Sequence, residues 1–322
     1  MWKYCVKNNR GKGRKPPLSS RGEDADITVG AICMGAKHIY NEPAKCMSDR
    51  DFEQLSEFIR AHCGIKMPAA KKSMLESRLQ KRLCALGIAT FREYCQILSH
   101  SSAKADEFIH MIDAVTTHKT DFFREPAHFR FLTETALPEY LGSDENSAAS
   151  RYALWSAGCS TGEEPYTLAI VLSEFAARTR GFHFAVTATD ISAKVLEKAL
   201  LGIYEESQVK MIPPHLREKY FMRSKERDKG LVRIVPELRS LVRFMRMNLM
   251  DEGSIPFERA IDAIFCRNVI IYFHRDTQYR LLNRFCRSLK KGGYLFLGHS
   301  ETVHGFDLPL VRTGSTIYRK VM

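Results

Sequence analysis

The sequence predicts an α/β protein in which a doubly wound, mainly parallel sheet follows a small all-helical domain and carries a short antiparallel β insertion. Residues 49–115 show only helical periodicity, whereas strand and helix patterns alternate from residue 151 onwards. Residues 203–247 interrupt that alternation with short strand-like stretches and a Pro213-Pro214 break. Alternating strands and helices are typical of parallel sheets, because each pair of parallel strands needs a crossover connection.

The composition is that of a globular protein with an anionic partner. The 322 residues, 44% of them hydrophobic and 27% charged, suffice for about two domains. No apolar run approaches the ~18–20 residues that span a bilayer, which argues against membrane insertion. The net charge of +12 favours nucleic acid, a membrane surface or an acidic protein as partner. The sequence has no basic motif with interleaved aromatic residues, and this argues against nucleic acid.

Residues 1–48 form a basic extension in which glycine, proline and serine interrupt any periodicity. This pattern predicts a flexible tail. The N-terminus has no hydrophobic signal core, and the nine cysteines of the chain include no CxxC pair. Both features indicate a cytoplasmic protein with reduced thiols and no metal site.

The helical domain, 49–120, is predicted from apolar stripes and from helix end signals. A helix that begins at Asp49 ends at Gly64, Pro68 opens a second helix, and a capping box of Thr90 and Glu93 opens a third. A further helix covers 103–115. The second helix has a basic edge formed by Lys71, Arg78, Lys81 and Arg82. This edge either docks on an acidic partner or is an ordinary solvated face.

The second domain, 121–322, is predicted to hold the doubly wound sheet. We expect strands at 152–156, 182–189, 261–266, 294–298 and within 310–321, and helices at 163–177, 192–201 and 276–290. The insertion, at about 203–247, is expected to contribute three antiparallel strands, at 220–223, 231–235 and 241–247. In a doubly wound sheet, ligands bind at the carboxyl ends of the strands.

Two of these strand ends carry residues that suit a nucleoside ligand. The first strand leads into a turn with Gly158 and Gly162, and glycine there allows a ligand close to the backbone. Glu163 and Glu164 follow; two carboxylates favour a cation over a pyrophosphate, unless they only complement the helix dipole. Asp190 ends the next strand, where an acid binds ribose hydroxyls or else caps the following helix, a role for which Ser192 competes.

Five collinear motifs make the resemblance to a known family specific. They are THKTDFFREPAHF at 117–129, WSAGCSTGEEPYTLA at 155–169, ATDI at 188–191, FCRNVIIYF at 265–273 and GGYLFLGHSE at 292–301. Together they resemble the chemotaxis receptor methyltransferase (CheR) family over residues 49–320. The resemblance implies a methyltransferase with S-adenosyl-L-methionine as donor and S-adenosyl-L-homocysteine as product. It also implies γ-glutamyl methyl esters on the cytoplasmic helices of chemoreceptors.

The resemblance implies roles for individual positions. Arg124 would orient the acceptor carboxylate and Tyr272 would lie near the methyl group, as catalytic residues. The cofactor-binding residues would be His118, Thr120, Arg124, Gly158, Glu163, Asp190, Asn248, Leu249, Arg267 and Asn268. His118 departs from the family pattern, which has asparagine at this position. A neutral histidine can still donate one hydrogen bond and accept another.

The resemblance also implies partners. We expect a monomer whose basic edge docks on the helical bundle of the receptor. In some family members the insertion also binds a receptor C-terminal peptide as an added strand. Two alternatives stay open: a methyltransferase of this fold that acts on another acidic protein or a small molecule, and a non-catalytic module that binds S-adenosylmethionine or receptors.

Overall fold

The computed structural model describes residues 2–4, 46–99, 104–143, 151–226, 229–251 and 260–321. A helical domain precedes an α/β domain with a small second sheet, so the predicted fold class is confirmed. The predicted flexible tail lies mostly outside the described residues. Near its start, however, Trp2–Tyr4 form a strand, β1, that pairs with the small sheet.

In the described residues, four α-helices build the N-terminal domain: α1 (Asp49–Cys63), α2 (Lys72–Leu86), α3 (Phe91–Ser99) and α4 (Lys104–Val115). Gly64 ends α1 at a φ of +72°, a left-handed conformation that glycine adopts without strain. The Glu93 amide donates to Thr90 Oγ1, and the Thr90 amide donates to Glu93 Oε2, each at 3.2 Å. The predicted capping box of α3 is therefore present. Leu75 and Leu83 of α2 are buried in the core of this domain.

The main sheet contains seven of the eleven strands in the described ranges. After β1 these are β2 (Arg151–Ala157), β3 (His183–Asp190), β4 (Ile203–Glu205), β5 (Phe221–Ser224), β6 (Leu231–Ile234), β7 (Val242–Arg246), β8 (Ile261–Cys266), β9 (Leu289–Leu297), β10 (Leu310–Gly314) and β11 (Ile317–Lys320). The order of the main sheet is β7-β3-β2-β8-β9-β11-β10. Its first five strands are parallel, β11 runs antiparallel to β9, and β10 runs antiparallel to β11. The carboxyl ends of β2, β3, β7 and β8 therefore meet at one rim.

Both faces of the main sheet are buried. The helices of this domain are α5 (Pro126–Phe131), α6 (Leu137–Leu141), α7 (Glu163–Ala176), α8 (Ala193–Leu201), α9 (Pro214–Tyr220), α10 (Pro236–Arg239) and α11 (Arg275–Ser288). Leu154 of β2 and Phe265 of β8 pack in one core with side chains of α7. Trp155, which follows Leu154, and Ile264, which precedes Phe265, pack in a second core with side chains of α11. This alternation is what a doubly wound sheet requires.

The small sheet is antiparallel throughout, in the order β1-β5-β6-β4. The third strand that the sequence predicts for the insertion, at 241–247, belongs elsewhere. Val242–Arg246 is β7 and lies parallel to β3 in the main sheet, and the place of the third strand is taken by β4. An alternating pattern identifies a strand but does not identify the sheet in which it pairs.

The end of α1 is attached to the rim of the main sheet. Ile65 forms an antiparallel bridge with Phe273, and the Lys66 amide donates to the Tyr272 carbonyl at 2.8 Å. The helical domain therefore covers one side of the rim at which the strand ends meet. Among the helices described, none is both long enough and apolar enough to cross a membrane.

Candidate active site

A cavity of about 400 Å³ opens at this rim, between the two domains. Its size is that of a small-molecule site. The structure brings ten of the predicted site residues together in its wall: His118, Thr120, Arg124, Gly158, Asp190, Asn248, Leu249, Arg267, Asn268 and Tyr272. They come from the link between the domains and from the turns after β2, β3, β7 and β8. The motifs thus converge at one place although they are far apart in sequence.

The turn after β2 requires glycine at two positions. Gly158 has a φ of +81°, and a Cβ atom there would lie 2.5 Å from Val269 Cγ2. Gly162 has a φ of +98°, and its Cβ would lie 2.9 Å from the Tyr204 hydroxyl. The Gly158 amide donates to the Thr189 carbonyl at 2.8 Å, which ties the turn to the end of β3. Glycine here allows neighbouring loops, as well as a ligand, to approach the backbone.

Asp190 connects the turns after β2 and β3. Its Oδ2 accepts from the Ser160 amide at 2.8 Å and its Oδ1 accepts from the Ser192 amide at 3.0 Å. Burial raises the pKa of Asp190, and these hydrogen bonds oppose that shift. The N-cap of α8 is Ser192, whose hydroxyl accepts from the Val195 amide at 3.3 Å. Asp190 is therefore not needed as a cap, and it lies in the cavity wall.

Glu163 is not among the residues of the cavity wall, and its contact with the donor stays a prediction. Its Oε2 accepts from the Thr161 hydroxyl at 2.7 Å, and its Oε1 accepts from Gln208 Nε2 at 3.4 Å. Glu164 lines the cavity instead, and its Oε1 accepts from the Ser156 hydroxyl at 2.7 Å. Consecutive helical residues point about 100° apart, so the packing of α7 decides which carboxylate faces the ligand.

Arg267, at the end of β8, is buried and joins three segments of the site. Its Nε donates to Glu164 Oε2 and its Nη1 donates to the Arg124 carbonyl, both at 2.7 Å. Its Nη1 also lies 3.3 Å from His128 Nδ1 and 3.4 Å from Glu125 Oε2. Arg267 thus lines the cavity while much of its guanidinium binds the protein itself.

His128 belongs to the hydrogen-bond network behind Arg124. Burial and the Arg267 charge lower the pKa of His128 to about 4, so its ring is neutral at pH 7. Its Nε2 donates to the Ser315 carbonyl at 3.2 Å, and its Nδ1 accepts from Arg267. His128, Glu125 and His299 could together offer ligands to a metal, since their ligand atoms lie within 4.8 Å of one another. The guanidinium of Arg267 already supplies positive charge there.

His118 is half-buried and neutral. The Thr116 hydroxyl donates to the Ile112 carbonyl at 2.6 Å, so the 2.8 Å contact with His118 Nε2 has the ring as donor. Its Nδ1 is then an acceptor. Burial lowers the pKa of His118, although the charge of Asp190 opposes this shift. A neutral ring avoids placing a positive charge in this part of the wall.

The charges of the cavity wall differ in burial. Asp190, Glu164 and Arg267 are buried, whereas Lys71, Arg78 and Arg124 are half-buried. Arg267 pairs with Glu164 at 2.7 Å, so the net buried charge of the wall is the negative charge of Asp190, and further positive charge lies nearer to solvent. A cation is favoured inside and an anion is favoured at the entrance.

The four residues predicted as a docking edge differ in their surroundings. Arg78 Nη1 donates to the carbonyls of Val115, the last residue of α4, and Thr116, at 2.7 and 3.0 Å. Arg82 pairs with the buried Glu107 at 2.6 Å. Both guanidinium groups thus have intramolecular roles that the sequence did not reveal. Lys81 is exposed, and Lys71 is half-buried at the cavity with its Nζ 5.5 Å from the ring centroid of Tyr272.

Several residues of the cavity wall were not predicted as site residues from the sequence: Cys63, Ile65, Met67 and Glu164. The first three are apolar residues of the helical domain, and no pattern separates a ligand wall from a domain core. Glu164 is hidden for a different reason. Residues 163–170 of α7 are buried on all sides, so no polar face indicates the phase of the helix.

A doubly wound sheet with a glycine turn after its first strand, an acid after its second and a cation-favouring cavity defines an enzyme class that binds a nucleoside cofactor. Comparison with known proteins makes the assignment specific. The family description "CheR methyltransferase, SAM binding domain" matches residues 118–318, and "CheR methyltransferase, all-alpha domain" matches residues 50–116. This chain therefore belongs to the CheR methyltransferase family and is an S-adenosylmethionine-dependent methyltransferase.

Individual relatives agree with this assignment. The chemotaxis protein methyltransferase of Borreliella burgdorferi is 41% identical over 256 residues, which cover 79% of this chain and 89% of that one. That of Klebsiella aerogenes is 40% identical over 273 residues, 84% of this chain and 90% of the other. That of Escherichia coli is 38% identical over 273 residues, 84% and 91% of the two chains.

The residues of the cavity suit S-adenosylmethionine. Its sulfonium is a cation, which the buried carboxylate of Asp190 favours. Its ribose offers hydroxyls to a strand-end acid such as Asp190. Ile191 and Leu249 add apolar surface to the same wall. The donor set thus fits the cofactor that the family binds.

Proposed function

We propose that this enzyme methylates glutamate side chains on the cytoplasmic helical bundles of chemoreceptors and so gives γ-glutamyl methyl esters. The observation that carries the proposal is the distribution of charge in the cavity. The buried Asp190 suits a cationic donor, and the half-buried Lys71 and Arg124 suit an anionic acceptor at the entrance. The relatives named chemotaxis protein methyltransferase support the same process. The proposal places the enzyme in the cytoplasm, where the receptor helices lie.

The acceptor needs no general base in this reaction. A glutamate side chain has an unperturbed pKa of about 4.3 and is already ionised at neutral pH. Bound S-adenosylmethionine supplies an electrophilic methyl group on a good leaving group. What the protein adds is alignment of the carboxylate with that group, together with exclusion of water from the site.

Arg124 is the residue placed to align the acceptor. It is half-buried in the cavity wall, and within the described part of the chain its guanidinium donates only to the Lys119 carbonyl, at 3.2 Å. The remaining N–H groups can bind a carboxylate in a bidentate manner, a geometry that lysine does not offer. Tyr272 lies in the same wall and would limit the space around the transferred methyl group.

Docking on an acidic bundle would use Lys81 and Lys71, because Arg78 and Arg82 bind within the protein. The small sheet is a second contact surface for a receptor. Its β5 edge is already paired with Trp2–Tyr4, in the register Trp2 to Ser224 and Tyr4 to Met222. A receptor peptide that adds a strand to β5 therefore has to displace the N-terminus of the enzyme.

Methyl transfer to receptor-containing membranes of the same organism tests the proposal. We expect base-labile label from S-adenosylmethionine on the receptor, and much less on a receptor whose acceptor glutamates are replaced by alanine. Label on a different acidic protein or a small molecule would favour the first alternative. Donor binding without transfer to any fraction would favour a non-catalytic module.

A further inference from the structure

Glu301 ends the fifth motif and has no role in the site described so far. It is 4% exposed and follows β9. Its Oε2 accepts from the amides of Gly298 and Asn268 at 2.6 and 2.9 Å. Its Oε1 accepts from the amides of Val269 and Ile271 at 2.8 and 3.3 Å. One buried carboxylate thus binds four backbone N–H groups, three of them in the loop after β8.

The loop after β8 depends on such a partner for its shape. Asn268 has a φ of +60°, a left-handed conformation that residues other than glycine keep only where surrounding contacts impose it. Consecutive N–H groups that converge on one point form an anion-binding nest. Without an acceptor these N–H groups would be partly buried and unpaired, which is unfavourable.

The same loop contributes several residues to the cavity wall. They are Asn268, Val269, Tyr272 and Phe273. The loop is closely packed on both sides: a Cβ atom on Gly298 would lie 2.6 Å from Asn268 Nδ2, and one on Gly158 would lie 2.5 Å from Val269 Cγ2. Small displacements of this loop therefore change the shape of the cavity directly.

We propose that Glu301 is a positioning residue of the methyltransferase, whose carboxylate holds the loop 268–272 in the shape that binds the donor. Glu301 is not in the cavity wall and acts through the backbone of the residues that are. The inference rests on donor binding, which family membership shows, and does not require that the acceptor is a receptor. It also explains why a glutamate stands three residues after Gly298, the glycine that follows β9.

The test compares two buried carboxylates. Glu301→Gln keeps the size of the side chain, but its amide nitrogen cannot accept, so two of the four hydrogen bonds are lost. Glu107→Gln is the matched control, because Glu107 is buried in the helical domain, accepts from Arg82 and Tyr94, and lies outside the cavity wall. For both variants we would measure S-adenosylhomocysteine affinity by calorimetry, amide hydrogen exchange in 268–272, and thermal unfolding.

We expect Glu301→Gln to weaken S-adenosylhomocysteine binding at least about tenfold and to speed exchange in the loop, since small misplacements of a binding group have large effects. Glu107→Gln should lower the melting temperature but change neither the S-adenosylhomocysteine affinity nor the hydrogen exchange in the loop. Binding within about twofold of wild type, with unchanged exchange, would overturn the proposal.

A second variant keeps the proposal testable if Glu301→Gln does not fold. Gly298→Ala leaves the carboxylate in place but pushes on Asn268, and it should weaken binding in the same way. Unchanged affinity in Gly298→Ala would then overturn the proposal. The readout involves no acceptor, so a failure to methylate receptors would leave this result intact.

Discussion

The carbonyl of Arg124 accepts a hydrogen bond of 2.7 Å from Arg267 Nη1, so one arginine holds the loop that carries the other. Phe123 and Glu125, on either side of Arg124, have φ values of +54° and +57°. A left-handed conformation costs a residue other than glycine on the order of 1 kcal/mol. The loop therefore keeps its shape only through its surroundings, and Arg267 is a large part of them.

Replacing Arg267 should reduce both stability and turnover. Arg267→Lys keeps the charge but cannot donate to Glu164 and to the Arg124 carbonyl in the same fork geometry. We expect kcat to fall at least about tenfold. Arg267→Ala should lower the free energy of unfolding by about 3–5 kcal/mol, because Glu164 is left buried without its partner. Urea denaturation and steady-state kinetics measure the two effects.

The control for Arg267 is Arg319→Lys. Arg319 also contacts a carboxylate, Glu139 at 3.3 Å, and a carbonyl, that of Gly292 at 3.4 Å, but it lies on β11 outside the cavity wall. The turnover of the Arg319→Lys variant should equal that of the wild type. Full turnover in Arg267→Lys would contradict a positioning role for Arg267.

Removing the Arg124 side chain should affect the chemical step more than donor binding. We expect Arg124→Ala to lower kcat by about 10²-fold and to change S-adenosylhomocysteine affinity by less than about threefold, because the side chain aligns the acceptor. Arg130→Ala, an exposed arginine on α5, is the matched control. If affinity falls as far as kcat does, Arg124 is a donor ligand and not an acceptor ligand.

The pH dependence of donor binding should report the protonation of His118. Burial keeps its pKa below the ordinary value of about 6.5, so the ring is neutral at pH 7 and gains a proton only as the pH falls. That proton adds positive charge beside a cationic donor. Between pH 7 and pH 5, S-adenosylmethionine affinity should therefore fall more steeply than the affinity for neutral S-adenosylhomocysteine.

His118→Asn separates this effect from the titration of Asp190, whose pKa is raised by burial. Asparagine does not titrate. The affinities for S-adenosylmethionine and S-adenosylhomocysteine should therefore fall by more similar amounts between pH 7 and pH 5 in the variant. Calorimetry with both ligands at both pH values measures these affinities. If the pH dependence differed between the two ligands by the same amount in the variant and in the wild type, it would be assigned to Asp190.

Gly158→Ala should lower stability and donor affinity together. Its φ of +81° is unfavourable for alanine, and the added Cβ would lie 2.5 Å from Val269. Gly87→Ala is the control, because its φ of +67° brings the same strain with nothing within 4 Å of the new Cβ. Gly87→Ala should cost about 1–2 kcal/mol in the free energy of unfolding. Gly158→Ala should cost more and weaken S-adenosylhomocysteine binding. Equal effects of Gly158→Ala and Gly87→Ala on stability and on binding would contradict the close approach of Gly158 to Val269.

Deleting residues 1–5 should expose the β5 edge of the small sheet. An unpaired edge strand accepts another strand, so we expect a receptor C-terminal peptide to bind the truncated enzyme about tenfold more tightly than the full chain. Fluorescence titration with the labelled peptide measures this. The affinity for S-adenosylhomocysteine, whose cavity is elsewhere, serves as control. Equal peptide affinity in both chains would show that β1 does not compete.

Local signals in the sequence predict much of this fold. The end of α1 at Gly64 and the capping box of Thr90 and Glu93 depend on contacts within a few residues, and both occur as predicted. The glycine turn and Asp190 follow from another local rule, because the ends of parallel strands share one rim. Prediction failed where the partner is distant. Val242–Arg246 was assigned to the wrong sheet, since pairing with β3 is a contact between segments about 55 residues apart.

Residue types and their spacing predict a helical domain joined to a doubly wound domain that binds a nucleoside ligand at its strand ends, and the resemblance of five motifs to the CheR family implies a methyltransferase. Tertiary structure alone decides which side chain of each loop faces the ligand. Glu164 rather than Glu163 lines the cavity, and Arg78 and Arg82 bind inside the protein. Glu301 shapes the wall without entering it. These outcomes depend on helix phase and on long-range packing, and neither is encoded in a local pattern.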